Sequence, residues 1–213
     1  MTDPRLFRLR ATYVEQGRLA MLSHLEVAHT LERTVRRAGL PFAVSQGFSP
    51  HMKIAFGAAL PVGVGSTCEV FDLQLTDYVP APRALEALQA ASVPDLMVQE
   101  CHYIDHKAPA ASVAFPLSTY EARFSRALEP GELQVPQTIV RTRKKKGKTL
   151  EKVMNVGEYL VGEVELAGDR ATFTLRSSQA GALRPDMFLS ECLSAADDVR
   201  AVSITRIAQA SED

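Results

Sequence analysis

The stretch from Leu22 to Gly63, LSHLEVAHTLERTVRRAGLPFAVSQGFSPHMKIAFGAALPVG, constrains this 213-residue chain more than any other. Ser23-His24-Leu25-Glu26 has the spacing of a capping box, with Glu26 placed to reach back to the helix start. Leu22 and Val27 flank it as a hydrophobic staple. Leu25, Ala28, Leu31, Val35 and Ala38 then recur at three- and four-residue steps, the stripe of an amphipathic helix. His29, Arg33, Arg36 and Arg37 fall off that stripe, and Glu32 stands four residues before Arg36. Gly39 is expected at the left-handed C′ position, and Pro41 forbids continuation. A Gly47-Phe48-Ser49-Pro50-His51 corner follows, where glycine permits a tight turn and proline sets the next bend.

Around this stretch the chain reads as short strands and few helices. Arg5–Val14 alternates Phe7, Leu9, Ala11 and Tyr13 with Arg8, Arg10 and Thr12, a strand with one apolar face. Strand signals recur at Phe42–Ser45, Lys53–Phe56, Cys68–Leu75 and Leu96–Ile104, with a helix at Arg83–Ala91. His106–Ser112 has the composition of a linker. Beyond it, strands are expected at Tyr120–Ser125 and Thr138–Arg143, and a short helix near Val156–Val161. A hairpin is expected to turn at Ala167-Gly168-Asp169-Arg170. A helix opens on Pro185, and Ala201–Ile207 is the last strand. The order implies an α+β chain of two tandem ferredoxin-like (β-α-β-β-α-β) units with antiparallel sheets, over residues 1–105 and 113–213.

Net charge is only −1, yet it is unevenly placed. Residues 5–53 hold eight Arg or Lys against three Glu, and residues 141–152 hold seven against one. Two basic clusters on an otherwise acidic chain point to local anion-binding faces. Cys68, Cys101 and Cys192 are too few and too far apart for a disulfide framework, a zinc site or an iron–sulfur cluster. They are expected to pack as small apolar residues. The start MTDPRLFRLR lacks the apolar core of a signal peptide, and no apolar run is long enough for a membrane helix, so a cytoplasmic chain with no membrane association is expected.

Three groups are candidates for chemistry. The first is the corner with its neighbours: Ser45, Gln46, Gly47, Phe48 and His51 can present backbone amides to an anion and a ring to a base. Ser23 and His24, at the helix N-terminus, would add to that site. Were His24 and His51 to share one pocket, two imidazoles could do acid–base work on a phosphodiester, which makes them the candidate catalytic pair. The second group is Arg33, Arg36, Arg37 and Lys53, suited to neutralising phosphates. The third is the turn Arg143, Lys144, Lys145, Lys146 and Lys148. The plain alternatives are a solvated helix face, a solvated turn, and a Phe48 that plugs the core. Phosphate-binding, dinucleotide and hydrolase signatures are absent. His102 and His106 fall on a strand and a linker, so no metal and no cofactor are expected.

The run from Leu22 to Leu75 resembles a radical-SAM-linked family of unknown function, whose members occur fused to, or encoded beside, B12-binding-type radical SAM proteins. The resemblance rests on Ser23, His24, Leu25, Arg33, Arg36, Arg37, Ala38, Gly39, Ser45, Gly47, Phe48, Pro50, His51, Pro61, Gly63 and Glu69. It is fainter at Val140–Lys145 and Leu183-Arg184-Pro185. It implies an accessory role with a radical SAM protein as partner, and gene neighbourhoods of the family imply RNA. The leading expectation is a non-catalytic RNA-binding module serving tRNA or rRNA modification or processing. The rivals are a metal-independent RNA endonuclease using His24 and His51, and an adaptor that docks a radical SAM subunit. A small-anion pocket under the Gly-Pro loop is a further reading.

Overall fold

A computed structural model describes residues 6–145, 148–178, 181–196 and 198–212. It divides into two compact units, Met1–Phe115 and Pro116–Asp213. Each is a mixed α+β unit built on antiparallel strands.

The first unit runs β1 (Phe7–Glu15), α1 (His24–Arg37), β2 (Ile54–Phe56), β3 (Gly65–Leu75), α2 (Ala81–Ala91) and β4 (Val98–Tyr103). Its sheet order is β4-β1-β3-β2, every neighbouring pair antiparallel. Side chains alternate across a strand, so the register sorts this sheet into two faces. Leu9 opposite Leu73 and Ala11 opposite Phe71 lie on the helix face. There they form one core with Val27, Leu31 and Val35 of α1 and Ala84 and Leu88 of α2. Burying a side chain of this size contributes about 1.5–3 kcal/mol, so this layer holds the unit together.

The opposite face is where sequence and structure part. Arg8 lies opposite Gln74 and Arg10 opposite Asp72. Alternation assigned these arginines to a polar face, but both are only 7% exposed and Asp72 only 3%. The cover is the stretch read as a linker. The carbonyls of Ala108 and Pro109 accept from the two guanidinium groups, and the short helix α3 (Ala111–Ala114) starts on Asp72, which accepts from the Ala111 amide. Residues 106–115 therefore belong to the first unit. The Phe42–Ser45 strand reduces to single bridges, Phe42 to Leu75 and Val44 to Met52.

The second unit runs β5 (Leu117–Phe124), β6 (Thr138–Lys145), β7 (Lys148–Asn155), β8 (Leu160–Ala167), β9 (Arg170–Ser178), β10 (Gly181–Ala182), α4 (Pro185–Cys192) and β11 (Ala201–Ala210). Its sheet order is β11-β5-β9-β8, with the two-residue β10 also on β9. The helix expected near Val156–Val161 is a single 3-10 turn, Val156–Glu158, leading into β8. The β-branched Val161 favours extended chain there, and Gly162, poor in a helix, takes φ +74° where the pairing with β9 shifts. The expected β8–β9 hairpin is present and turns at Gly168 with φ +63°. Arg126 ties the segment after β5 to Glu132 and Asp198, and holds the Glu132 carboxyl down at about 2.

Compared strand by strand, the two sheets follow one order: fourth, first, third, second. What differs is the crossover after the first strand. In the first unit it contains α1. In the second it contains the separate two-stranded ribbon β6–β7, whose root is anchored by buried Ile139 and Met154.

Candidate functional site

Helix α1 starts as its capping residues require. The Glu26 carboxylate accepts from the Ser23 amide at 2.8 Å and the Ser23 hydroxyl at 2.7 Å, which holds its pKa below the usual value. The buried side is Val27, Ala28, Leu31, Thr34 and Val35. Leu25, expected in that stripe, is 68% exposed instead. It follows the three- and four-residue steps of His29, Arg33 and Arg36 down the outer side, and all three are exposed. Arg33 donates to the Thr30 hydroxyl and Arg36 sits 3.7 Å from Glu32. Arg36 and Arg37 occupy the last turn, where they also offset the negative end of the helix dipole. Gly39 then takes φ +66°, as expected.

The corner closes on two hydrogen bonds: the Ser45 amide donates to the His51 carbonyl and the His51 amide to the Ser45 hydroxyl. Gly47 adopts φ +136°, and Phe48 beyond it is wholly exposed. Phe48 does not plug the core. Gln46, Ser49, Pro50 and His51 are exposed beside it. Phe48→Ala is therefore expected to leave stability within about 0.5 kcal/mol of the parent in urea unfolding, because the ring is not buried in the folded chain. A larger drop would mean the ring packs onto the protein.

The His24 ring lies edge-on to Phe56 at 5.7 Å, and Phe56 in turn packs on Phe71. His51 stands on the exposed corner, five residues before Phe56 in the chain. Neither imidazole has a hydrogen-bonded orienting partner among the described residues. Paired acid–base catalysis would need both groups within hydrogen-bond reach of one substrate.

Lys53 separates from the helix arginines as well. It lines a hollow of about 300 Å³ on the opposite sheet face with Arg8, Asp72 and Gln74. The Arg8–Arg10–Asp72 cluster beside it is densely hydrogen-bonded. Asp72 Oδ1 accepts from Arg10 Nε at 2.7 Å, and Oδ2 from Arg8 Nη2 at 2.6 Å and Arg10 Nη2 at 3.0 Å. Burial pushes the Asp72 pKa up; the hydrogen bonds from Arg10 and then Arg8 outweigh it and leave it below the ordinary carboxylate value. Arg10 also lies over the Phe115 ring at 5.2 Å. These two arginines are consumed inside the fold, which leaves the exposed arginines of α1, with exposed Arg18 just before it, as surface charge of the first basic cluster.

The second basic cluster lies on the ribbon. Antiparallel register pairs Arg141 with Lys152, Arg143 with Leu150 and Lys145 with Lys148. Paired residues share a face, and faces alternate along each strand. Arg141 and Lys152, directly opposite each other, therefore share one face, while Glu151 falls on the other with Val140, Thr142, Thr149 and Val153; the side chains of Arg143, Lys144, Lys145 and Lys148 lie outside the described residues. Arg141 and Lys152 are exposed. Lys146, also a candidate, lies outside the described residues.

Two features escape a reading of the sequence. One is the buried triad, whose members are 62 and 64 residues apart in the chain. The other is a ring cluster of Phe7, Tyr78 and Tyr103 at the start of α2. Cys192 is buried and desolvation pushes its thiol up to about 12, burial also pushes the Cys101 thiol up, and Cys68 is half-buried. No helix among the described residues is long and apolar enough to cross a membrane.

Among known proteins, the family described as an uncharacterized protein conserved in bacteria, DUF2344, matches residues 8–185. No curated protein matches the sequence. Among solved structures the chain is similar to one in the crystal structure of a Cbf5-Nop10-Gar1 complex, at TM-score 0.46 and 10% identity over 96% of this chain. This chain spans 50% of that one.

Proposed function

We propose that this chain, which belongs to the DUF2344 family of uncharacterized bacterial proteins, is a non-catalytic module that holds RNA for a radical SAM enzyme. One observation carries the reading. In each unit the basic cluster sits on the same topological element, the crossover between the first and second strands of the sheet, as α1 in one and as the β6–β7 ribbon in the other. A solvated face arising by chance would not select one slot in both units. We read both units as ferredoxin-like on this basis, the ribbon standing where the second unit would carry its first helix. On α1 the cations line the outer side, and on the ribbon exposed Arg141 stands opposite exposed Lys152, the footprint of a backbone-binding surface that reads charge rather than sequence. The radical SAM partner comes from the sequence resemblance, and the RNA would be a tRNA or rRNA undergoing modification or processing.

That neither His24 nor His51 has a hydrogen-bonded orienting partner among the described residues supports a module without cleavage of its own. A test is binding of total tRNA and rRNA fragments at two salt concentrations, with cleavage scored in the same gel. Binding that weakens steeply with salt, without products, is the expected result. Absence of binding at low salt would end the proposal.

The wholly exposed Phe48 favours a second reading, in which the corner docks the radical SAM subunit. Phe48→Ala would then lose co-purification with that enzyme while keeping RNA affinity.

A further inference from the structure

Two hollows adjoin on the first unit between α1 and α2, of about 560 and about 380 Å³, and both are lined by Ala38 and Ala87. Arg37 borders the first; Tyr78 and Arg83 border the second. Small side chains line the space between, with Gly39 at one end and Ala90 and Ala91 at the other. Both arginines are exposed, and neither has an ion-pair partner among the described residues.

Tyr78 is 61% exposed, yet it is not loose. Its ring stacks on Tyr103 at 5.2 Å and 29°, and meets the edge of Phe7 at 5.7 Å. Tyr103 is itself pinned, donating its hydroxyl to the Val79 carbonyl at 2.6 Å and accepting from the Val79 amide. The outer Tyr78 face is thus a fixed aromatic surface beside two uncommitted cations. Asp77 next to it is engaged by the Thr76 hydroxyl at 2.8 Å, and Glu86 is the other carboxylate close by in sequence.

We infer that this groove is a seat for single-stranded RNA, one base stacking on Tyr78 and the flanking phosphates meeting Arg83 and Arg37. A fixed ring beside unpaired arginines is the combination by which proteins hold single strands without reading sequence, since every base offers a π face. The groove is open to an unpaired strand, whose bases are free to splay, whereas a duplex keeps its bases stacked inside. The inference rests on the RNA-holding role proposed above and names the form of RNA this unit takes.

The probe is a fluorescent eight-nucleotide oligouridylate, titrated into the full chain by anisotropy. Tyr78→Ala is expected to weaken binding about 5- to 150-fold, the range of one lost base stack. Tyr78→Phe is expected to stay within about threefold of the parent, because stacking needs the ring and not the hydroxyl. The pair Arg37→Gln with Arg83→Gln is expected to lower the salt slope by about 1.4, at ~0.7 per phosphate on a single strand. These exposed arginines carry the test if Tyr78→Ala fails to fold. Equal losses for Tyr78→Ala and Tyr78→Phe, or unchanged affinity in Tyr78→Ala, would overturn the seat. If the oligonucleotide still requires Arg141 and Lys152 on the ribbon while ignoring Tyr78, the seat falls and the RNA-holding role stands. If the parent chain binds neither oligonucleotide nor total RNA, both fall together.

Discussion

Asp72→Ala is expected to cost the first unit about 3–5 kcal/mol, the penalty of leaving buried cations without their counter-charge. Against the roughly 5–15 kcal/mol that holds a typical domain folded, this removes a large part of the margin. Asp72 is 3% exposed and receives four hydrogen bonds, three from guanidinium groups and one from the Ala111 amide. Removing it strands Arg8 and Arg10 on a covered face and frees the start of α3. The damage should appear first as faster hydrogen exchange in β1 and β3, which separates it from any change in the second unit. The pH dependence follows with a definite sign. The folded Asp72 pKa lies below its unfolded value of about 3.9, so its contribution is fully present above that value. It is lost as pH falls through the lower folded pKa, so acid should destabilise the parent from about pH 4 downward and Asp72→Ala much less. A cost under about 1 kcal/mol, or parallel acid profiles, would show that the arginines find other partners. Replacing all three charged residues by apolar ones of similar size should recover much of the stability, since the penalty comes from the unpaired charges.

The second large effect concerns the ribbon. Reversing Arg141 and Lys152 together is expected to weaken binding of total tRNA about a hundredfold or more at ~0.1 M salt, since each charge-assisted hydrogen bond to phosphate contributes about 1.5–3 kcal/mol. The slope of log affinity against log salt should shrink by about 0.7–0.9 for each phosphate no longer neutralised. Register supplies the control. Thr142 and Thr149 are exposed residues of the same hairpin on the opposite face. Introducing Glu at both adds the same number of acidic groups to the ribbon but not to the basic face, and should cost far less affinity. Each double variant should keep its stability within about 0.5 kcal/mol, because these side chains are exposed. A logarithmic loss in the threonine variant half that of the reversal, in step with charge changes of −2 and −4, would mean only net charge matters, and the placement of Arg141 and Lys152 on one face would carry no function.

Much of the local structure was legible in the residues. The Ser23–Glu26 cap, the Gly39 stop, the β8–β9 turn at Gly168 and the Pro185 start of α4 each depend on neighbours within a few positions. Leu25 shows the limit of such patterning. Its spacing fitted the apolar stripe, but the core is centred on Val27, Leu31 and Val35, and only the sheet beneath α1 decides that centre. The Val156–Val161 helix failed for a related reason: its propensity is weak, and pairing with β9 claims the chain from Leu160 onward.

The sequence by itself determined where the caps, turns and basic clusters lie, because those depend on short-range sterics and hydrogen bonds. Only the tertiary structure decided which charges remain available. It hid Arg8 and Arg10 against Asp72, moved Lys53 to another face, seated the His24 ring against Phe56, and set Tyr78 and Arg83 on a hollow that adjoins the one Arg37 borders. The physical reason is that a side chain's burial and partners are fixed by strands and helices distant along the chain. A one-dimensional pattern records that a residue is charged, but not whether the fold has already used the charge.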